Sequence, residues 1–240
     1  MWSGWIGPLF NSKGYHFSRL DLQKRKLAKW RRTTLDEKTK VVCSVCNNGW
    51  MSQLENRAKA AFSDMIRDGV KVCLLSRGLA LLAAFTFKCA VVSDYARGDG
   101  DVFFPAFDRY RFRESLEIPR GTQMWIAAIH DRFGHRGADV HYRTSPTDTG
   151  FRDLNFYTYN FVAGHLSLQV RSTRWATLCK QGRDVPHVEP STHWDAASVI
   201  EFWPNEYGFP IEWPPSVQIK SDLLQEFIYR WSGRINIMTG

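Results

Sequence analysis

This 240-residue chain has few cysteines, no excess of acidic residues and no long apolar run. Five cysteines are an odd number and too few for a disulfide scaffold, which predicts reduced thiols and a cytoplasmic protein. No stretch near the N-terminus joins a basic segment to a long apolar one, so nothing in the sequence favours secretion. The most apolar segment has ten residues between Arg77 and Lys88. A bilayer span needs about 20 such residues, so we expect no membrane partner.

The chain also lacks the short motifs of several common enzyme classes. It has no Gly-x-x-x-x-Gly-Lys-Ser/Thr phosphate loop, no Gly-rich dinucleotide fingerprint and no Gly-x-Ser-x-Gly nucleophile elbow. Its hydrophobic content of 44% is nevertheless typical of a globular protein rather than a disordered one. We therefore expect a folded protein whose function has to be inferred from other features.

The most uneven feature of the sequence is its positive charge. Residues 1–60 carry 12 Lys+Arg against 4 Asp+Glu, whereas residues 61–240 carry 20 of each, so the net charge of +8 belongs to the first quarter. Clustered positive charge is typical of a surface that faces a polyanion. The alternative is a basic segment that is simply solvated.

The cations are densest in residues 20–32, which we interpret as a basic helix or an extended basic loop. Trp30 lies among them, and it either stacks on a nucleobase or anchors the segment to the rest of the protein. We expect this segment to contact nucleic acid, with DNA the favoured form. The predicted contact residues are Lys24, Arg25, Lys26, Lys29, Trp30, Arg31 and Arg32.

Two helices follow the basic segment. Ser52 and Glu55 have the spacing of a capping box, apolar residues then recur at helical spacing, and Gly69 stands where a helix would end. A second helix is predicted from about Ser76 to Tyr95, and its apolar centre indicates a buried core helix. Residues 98–121, punctuated by Gly and Pro, are predicted to be mostly loop.

The second half of the chain is rich in strand patterns. The predicted strands are 123–130, 138–144, 155–162, 165–171 and 199–203, and Ala163-Gly164 forms either a tight turn or a bulge. Ser221 is predicted to cap a final amphipathic helix. We therefore predict an α+β fold, with a small N-terminal module (residues 1–70) followed by helices packed on an antiparallel sheet (residues 71–240).

The strongest local signal is the pair Cys43-Ser-Val-Cys46, which runs directly into the first predicted helix. A Cys-x-x-Cys turn can point both sulfurs at one tetrahedral zinc ion, and a helix N-terminus favours the thiolate form. A redox dithiol is a second interpretation, although it would require a βαβ pattern that is not apparent around the motif. Coincidence is the third. A half-site for zinc is the interpretation we favour.

The string CSVCNNGWMSQLE (43–55) resembles a prokaryotic and phage family described as HNH-endonuclease-like. In that family a Cys-x-x-Cys-Asn-x-Gly-Trp-Met-Ser-x-Leu-Glu segment follows an earlier Cys-x-x-Cys and a Glu-His. Residues 2–10 (WSGWIGPLF) and 200–215 (IEFWPNEYGFPIEWPP) are also similar to the family. The resemblance therefore extends over nearly the whole chain.

The resemblance implies a metal-dependent DNA endonuclease with a divalent catalytic ion, and it makes Cys43 and Cys46 half of a structural four-cysteine zinc site. The earlier Cys-x-x-Cys and the Glu-His would precede Met1, so no general base is assigned and we expect this chain to be catalytically incomplete as written. His16 or a second chain in a homodimer could supply further zinc ligands. The alternative function is a non-catalytic module that recognises a protein or small ligand through the C-terminal sheet and its aromatic residues.

Overall fold

The structure is a computed structural model, and it describes most of the chain. Side chains are described for the helices and for most of the central sheet, whereas several outlying strands are described by their backbone pairing. The described residues are 4–10, 15–21, 26–32, 41–96, 102–130, 138–144, 154–175, 188–190, 197–220, 223 and 235–237.

Four α-helices lie in the described part of the chain, and a short 3-10 turn at Gly7–Leu9 precedes them. α2 and α3 match the two helices that the sequence predicts, including the end of α2 at Gly69, which adopts a left-handed conformation with φ of 66°. The helices are α1 (Ser44–Cys46), α2 (Ser52–Asp68), α3 (Ser76–Tyr95) and α4 (Ala106–Ser115).

The predicted capping box at the start of α2 is wrong. Ser52 already has helical φ and ψ of −63° and −39°, and no side chain caps this end of the helix. The helical path begins earlier, at α1, and reaches α2 through a π-helical turn over Asn47–Met51 that is kinked at Gly49. A capping residue needs non-helical dihedrals, so Ser52 cannot act as one.

α3 is the central helix of the core, as its composition predicts. Among the described helices it is the one long and apolar enough to cross a membrane, and most of its surface is buried inside the protein. The prediction that residues 98–121 are mostly loop is wrong over α4. α4 escapes pattern recognition because Phe112 and Asp108 are its buried residues, so it has no apolar stripe.

Eleven strands are described. Five of them form the main sheet in the order β5-β6-β7-β4-β9, with every neighbouring pair antiparallel. The predicted α+β fold with an antiparallel sheet is confirmed. The strands are β1 (Tyr15–Asp21), β2 (Lys26–Arg32), β3 (Val72–Leu74), β4 (Thr122–Ala128), β5 (Ala138–Thr144), β6 (Leu154–Ala163), β7 (Leu166–Trp175), β8 (Val188–Pro190), β9 (Val199–Trp203), β10 (Ile211–Trp213) and β11 (Ile235–Ile237).

The basic segment is neither a helix nor an extended loop, so that prediction is wrong. β1 and β2 form an antiparallel hairpin in which Phe17 pairs with Trp30 and Asp21 with Lys26. Backbone groups of β2 form hydrogen bonds with those of β1. The density of positive charge along the sequence does not indicate this pairing. The predicted C-terminal helix beginning at Ser221 lies outside the described residues, apart from residue 223.

The β6–β7 turn confirms the tight-turn interpretation. Gly164 has φ of +54°, and a Cβ at this position would lie 2.0 Å from the carbonyl oxygen of Ile66 at the end of α2. His165 donates its backbone N–H to the same oxygen at 3.0 Å. The turn is thus fastened to α2, and only glycine fits there.

Where the structure describes side chains of β4, β6 and β7, both faces of the main sheet are buried, but the two faces differ in chemistry. The face toward α3 is apolar and includes Ile126, Phe161 and Leu168. The opposite face carries polar side chains, among them Gln169, whose amide nitrogen donates to Asn160 at 2.7 Å. The other buried polar residues of this face are Gln123, Thr158, Ser167, Arg171 and Thr173.

Arg171 is the most costly member of this polar face. Burial lowers the pKa of its guanidinium to about 10, and no described residue accepts a hydrogen bond from it. The guanidinium lies 5.6 Å from the ring centroid of Trp125, which offers partial compensation through a cation–π contact.

One hydrophobic cluster contains residues from both sides of the predicted boundary at residue 70. Leu54, Phe62 and Ile66 of α2 pack in the same cluster as Phe85 of α3 and Phe161 of the sheet. α2 therefore contributes its apolar face to the core of the body, and it places the cysteine turn beside α3 and α4.

Candidate functional site

Cys43 and Cys46 lie on a turn that orders the first sulfur. Cys43 has extended dihedrals (φ −65°, ψ 154°) and caps α1, so its Sγ accepts the backbone N–H of Cys46 at 3.4 Å. Both thiols are free, with Cys43 exposed and Cys46 half-buried. An exposed sulfur held by a backbone N–H in this way is available to a metal or an electrophile.

The surroundings of Cys43 favour its thiolate. The backbone N–H of Cys46 lowers the pKa of Cys43, and the side chain of Cys46, the backbone of Val45 and the positive charge of Arg113 act in the same direction. Because zinc binds thiolate rather than thiol, this electrostatic environment suits a metal ligand.

A groove of about 320 Å³ opens beside the two cysteines, between the cysteine turn, α3 and α4. Its walls are mainly aliphatic and aromatic, and its cations are Lys88, Arg109 and Arg113. The lining residues are Val41, Val42, Cys43, Cys46, Trp50, Met51, Lys88, Val91, Val92, Tyr95, Ala106, Arg109, Tyr110, Phe112 and Arg113.

Several contacts hold α4 in place as one wall of this groove. Asp94 at the end of α3 accepts the backbone N–H groups of Phe103 and Phe104 at 2.7 and 3.0 Å, which orders the connection into α4. Asp108 of α4 forms an ion pair with Arg174 of β7. The position of the wall is therefore set by buried polar contacts as well as by packing.

Phe112 and Trp50 form the apolar floor where α4 meets the cysteine turn. Their rings meet edge to face at 5.6 Å between centroids, and Phe112 also packs on Phe87 of α3 at 4.8 Å. The indole nitrogen of Trp50 is buried, and no described residue accepts its hydrogen bond. The aromatic contact fixes α4 against the cysteine turn.

The three groove cations are not equivalent. Lys88 is neutralised by Glu55, with 2.5 Å between Nζ and Oε1. The guanidinium of Arg109 lies over the Tyr95 ring at 4.7 Å, and the side chain of Arg113 is 45% exposed with Glu114 at 3.4 Å. Arg109 and Arg113 are therefore the cations that a ligand in the groove would meet.

The sulfurs of Cys43 and Cys46 have no third metal ligand nearby in the described part of the chain. Among these residues no group of three or more His, Cys, Asp or Glu side chains is arranged to hold a metal. Cys89 is buried in α3, and a hydrogen bond to Glu212 raises the pKa of the exposed Cys73 thiol. Cys179 lies outside the described residues, and the structure describes His16 by its backbone pairing with Arg31.

Most of the predicted nucleic-acid contacts lie on one strand. Lys26, Lys29, Trp30, Arg31 and Arg32 all belong to β2, whereas Lys24 and Arg25 lie outside the described residues. Arg109, Tyr110 and Arg113 are not among the predicted site residues, because residues 98–121 are predicted to be loop and α4 has no apolar stripe. The run Arg109-Tyr-Arg-Phe-Arg, which alternates cations with aromatic residues, was a signal that could have identified them.

A second cavity, of about 250 Å³, lies at the other end of α2 and is lined in part by Asp68, His130 and His165. The Nδ1 atom of His165 is 2.9 Å from the carbonyl oxygen of Ile129, and its backbone N–H binds Ile66. These contacts join the β6–β7 turn to α2 and β4, so they give His165 a structural role.

No family model, curated protein or solved structure matches this chain.

Proposed function

We propose that this protein binds nucleic acid through the β1–β2 hairpin and the groove beside Cys43 and Cys46, and that these cysteines ligate a structural zinc ion. The observation that carries the proposal is the ordered, thiolate-favouring turn at Cys43, which lies next to Arg109 and Arg113. A thiolate that can ligate zinc and cations that can bind phosphates lie together in this groove.

From the resemblance to HNH-like endonucleases, the proposal takes the class of ligand, nucleic acid. It does not take the endonuclease activity. Such an enzyme would need a second, divalent ion and a general base at the scissile phosphate. The groups that carry the proposal are cations and thiolates, so the function we propose is binding.

The proposal is tested by the salt dependence of binding to a labelled DNA duplex. Each neutralised phosphate contributes about −0.9 to the slope of log K against log salt concentration. A variant with Lys26, Lys29, Arg31 and Arg32 changed to Gln should lose up to about 3.6 units of slope and most of its affinity.

The matched control removes four exposed cations from the rest of the protein, Lys59, Lys71, Arg77 and Lys220. It has the same net charge as the hairpin variant, so it separates a local contact from a general electrostatic effect. An equal loss in both variants, or an affinity indifferent to salt, would rule out the hairpin as the contact surface.

A second candidate function is recognition of a protein partner through the C-terminal aromatic residues. Tyr207 and Phe209 are 82% and 68% exposed, and their rings lie 5.8 Å apart. Trp213, in contrast, is buried, and Trp203 packs against the core. If neither the parent chain nor the four-cation control variant binds nucleic acid, this alternative is favoured.

A further inference from the structure

We propose that the groove between the cysteine turn and α4 binds one unstacked nucleobase of a single-stranded nucleic acid, with the adjoining phosphates on Arg109 and Arg113. The inference rests on the proposed nucleic-acid-binding function and deepens it, because it names the form of nucleic acid and the atoms that meet it.

The interior of the groove suits a flat, largely apolar group. Its volume of about 320 Å³ lies at the lower end of the range of ligand pockets. Tyr110, which is exposed, and the half-buried Trp50 contribute aromatic surface. The Tyr95 ring carries the Arg109 guanidinium, and aliphatic side chains from the segment before Cys43 and from α3 complete the walls. Bases of every kind have a π-face, so aromatic walls of this type bind them with little regard to sequence.

The charge of the groove is confined to its α4 rim. Arg109 and Arg113 are four residues apart and therefore neighbours on one face of the helix, whereas Lys88 is already paired with Glu55. A ligand with an apolar body and anionic groups at its edge matches this distribution. A nucleotide within a strand has that chemistry, since its base and its phosphate lie on opposite sides of the sugar.

Single strands are favoured because the base must leave its stack to enter the groove. In a duplex this costs unpairing and unstacking energy, which a single strand largely avoids. The groove should therefore discriminate between the two forms, whereas the hairpin cations, which meet phosphates alone, should not.

The experiment compares Tyr110→Ala with Phe107→Ala by fluorescence anisotropy, using a labelled oligothymidylate and a duplex of mixed sequence. Both aromatic side chains are exposed to nearly the same extent on α4 (63% and 64%), but Tyr110 lines the groove and Phe107 does not. Tyr110→Ala should weaken single-strand binding about tenfold, which is a typical loss for one base stack. Phe107→Ala should leave it unchanged, and neither should alter duplex binding.

A second pair tests the rim. Arg113→Gln should weaken single-strand binding, whereas Arg111→Gln should not, because Arg111 pairs with Glu117 and does not line the groove. If Tyr110→Ala binds single strands as the parent does while salt-dependent duplex binding is intact, base binding in the groove is overturned and nucleic-acid binding through the hairpin still stands. If the parent chain binds no nucleic acid at all, both this inference and the proposed function are overturned. Melting curves for each variant establish that the fold is retained.

Discussion

The two exposed cysteines described by the structure lie in opposite electrostatic environments. Hydrogen bonds from Cys46 lower the pKa of Cys43, while a hydrogen bond to Glu212 raises the pKa of Cys73. The thiolate is the reactive form of cysteine. The two thiols therefore provide an internal comparison within one protein.

We predict that iodoacetamide modifies Cys43 several-fold faster than Cys73 at neutral pH in the presence of a chelator. Both side chains are exposed, so the difference reflects thiolate population rather than access. The ratio should shrink as the pH rises past both pKa values, because both cysteines are then ionised. Peptide mass spectrometry of timed samples measures the two rates. Equal rates at neutral pH would remove the electrostatic argument for Cys43 as a metal ligand.

At the scale of elements, the chain is most sensitive where the β6–β7 turn meets α2. Gly164 has positive φ, and a Cβ added there would lie 2.0 Å from the carbonyl oxygen of Ile66. Because both atoms belong to or are fixed by the backbone, relieving the clash would require the turn or the end of α2 to move. We predict that Gly164→Ala lowers the free energy of unfolding by about 3 kcal/mol, of which strain at positive φ is one part. Urea unfolding followed by circular dichroism measures the change.

Gly78→Ala is the control for this prediction. Gly78 lies in the first turn of α3, and the nearest atom to its added Cβ is a Leu74 side-chain carbon at an ordinary 3.7 Å. The substitution should raise stability by about 0.5 kcal/mol, because alanine restricts the unfolded chain. A Gly164→Ala protein as stable as the parent would mean that the turn is not fastened to α2 as described.

Elements with their own periodicity could be predicted from the sequence, and elements that depend on partners could not. α3 and the β6–β7 hairpin carry strong local patterns and were anticipated within a few residues. α4 and the β1–β2 hairpin were not, because α4 is held by contacts such as Asp108 with Arg174, and β2 by pairing with β1. Tertiary context overrides weak local preference in both cases.

The candidate site shows the same division. Cys43 and Cys46 can be recognised as candidates from their spacing, because Cys-x-x-Cys is typical of structural zinc sites. The groove does not, because its walls come from segments as far apart as Val41 and Arg113 and exist only after α4 has packed on α3. The buried polar face of the sheet is similarly hidden, since alternation predicts two faces but not that both are covered.

At the scale of the whole molecule, the proposed tetrahedral zinc site has two of its four ligands among the described residues. Cys43 and Cys46 lie at the surface, and no third metal ligand accompanies them within the described part of the chain. Two copies related by a two-fold axis would bring four thiolates to one ion, which is a common structural zinc site.

We predict that the purified protein is a zinc-linked homodimer with about half a zinc ion per chain, as a site of four thiolates shared by two chains requires. Elemental analysis and native mass spectrometry measure metal content and oligomeric state on the same sample. A chelator should convert the dimer to metal-free monomer, and the variant Cys43→Ser/Cys46→Ser should be monomeric from the outset. Cys73→Ser, which removes an exposed thiol elsewhere, should keep both zinc and dimer. A folded monomer holding one zinc ion would place all four ligands in a single chain, and a folded protein without zinc would remove the metal from the proposed function.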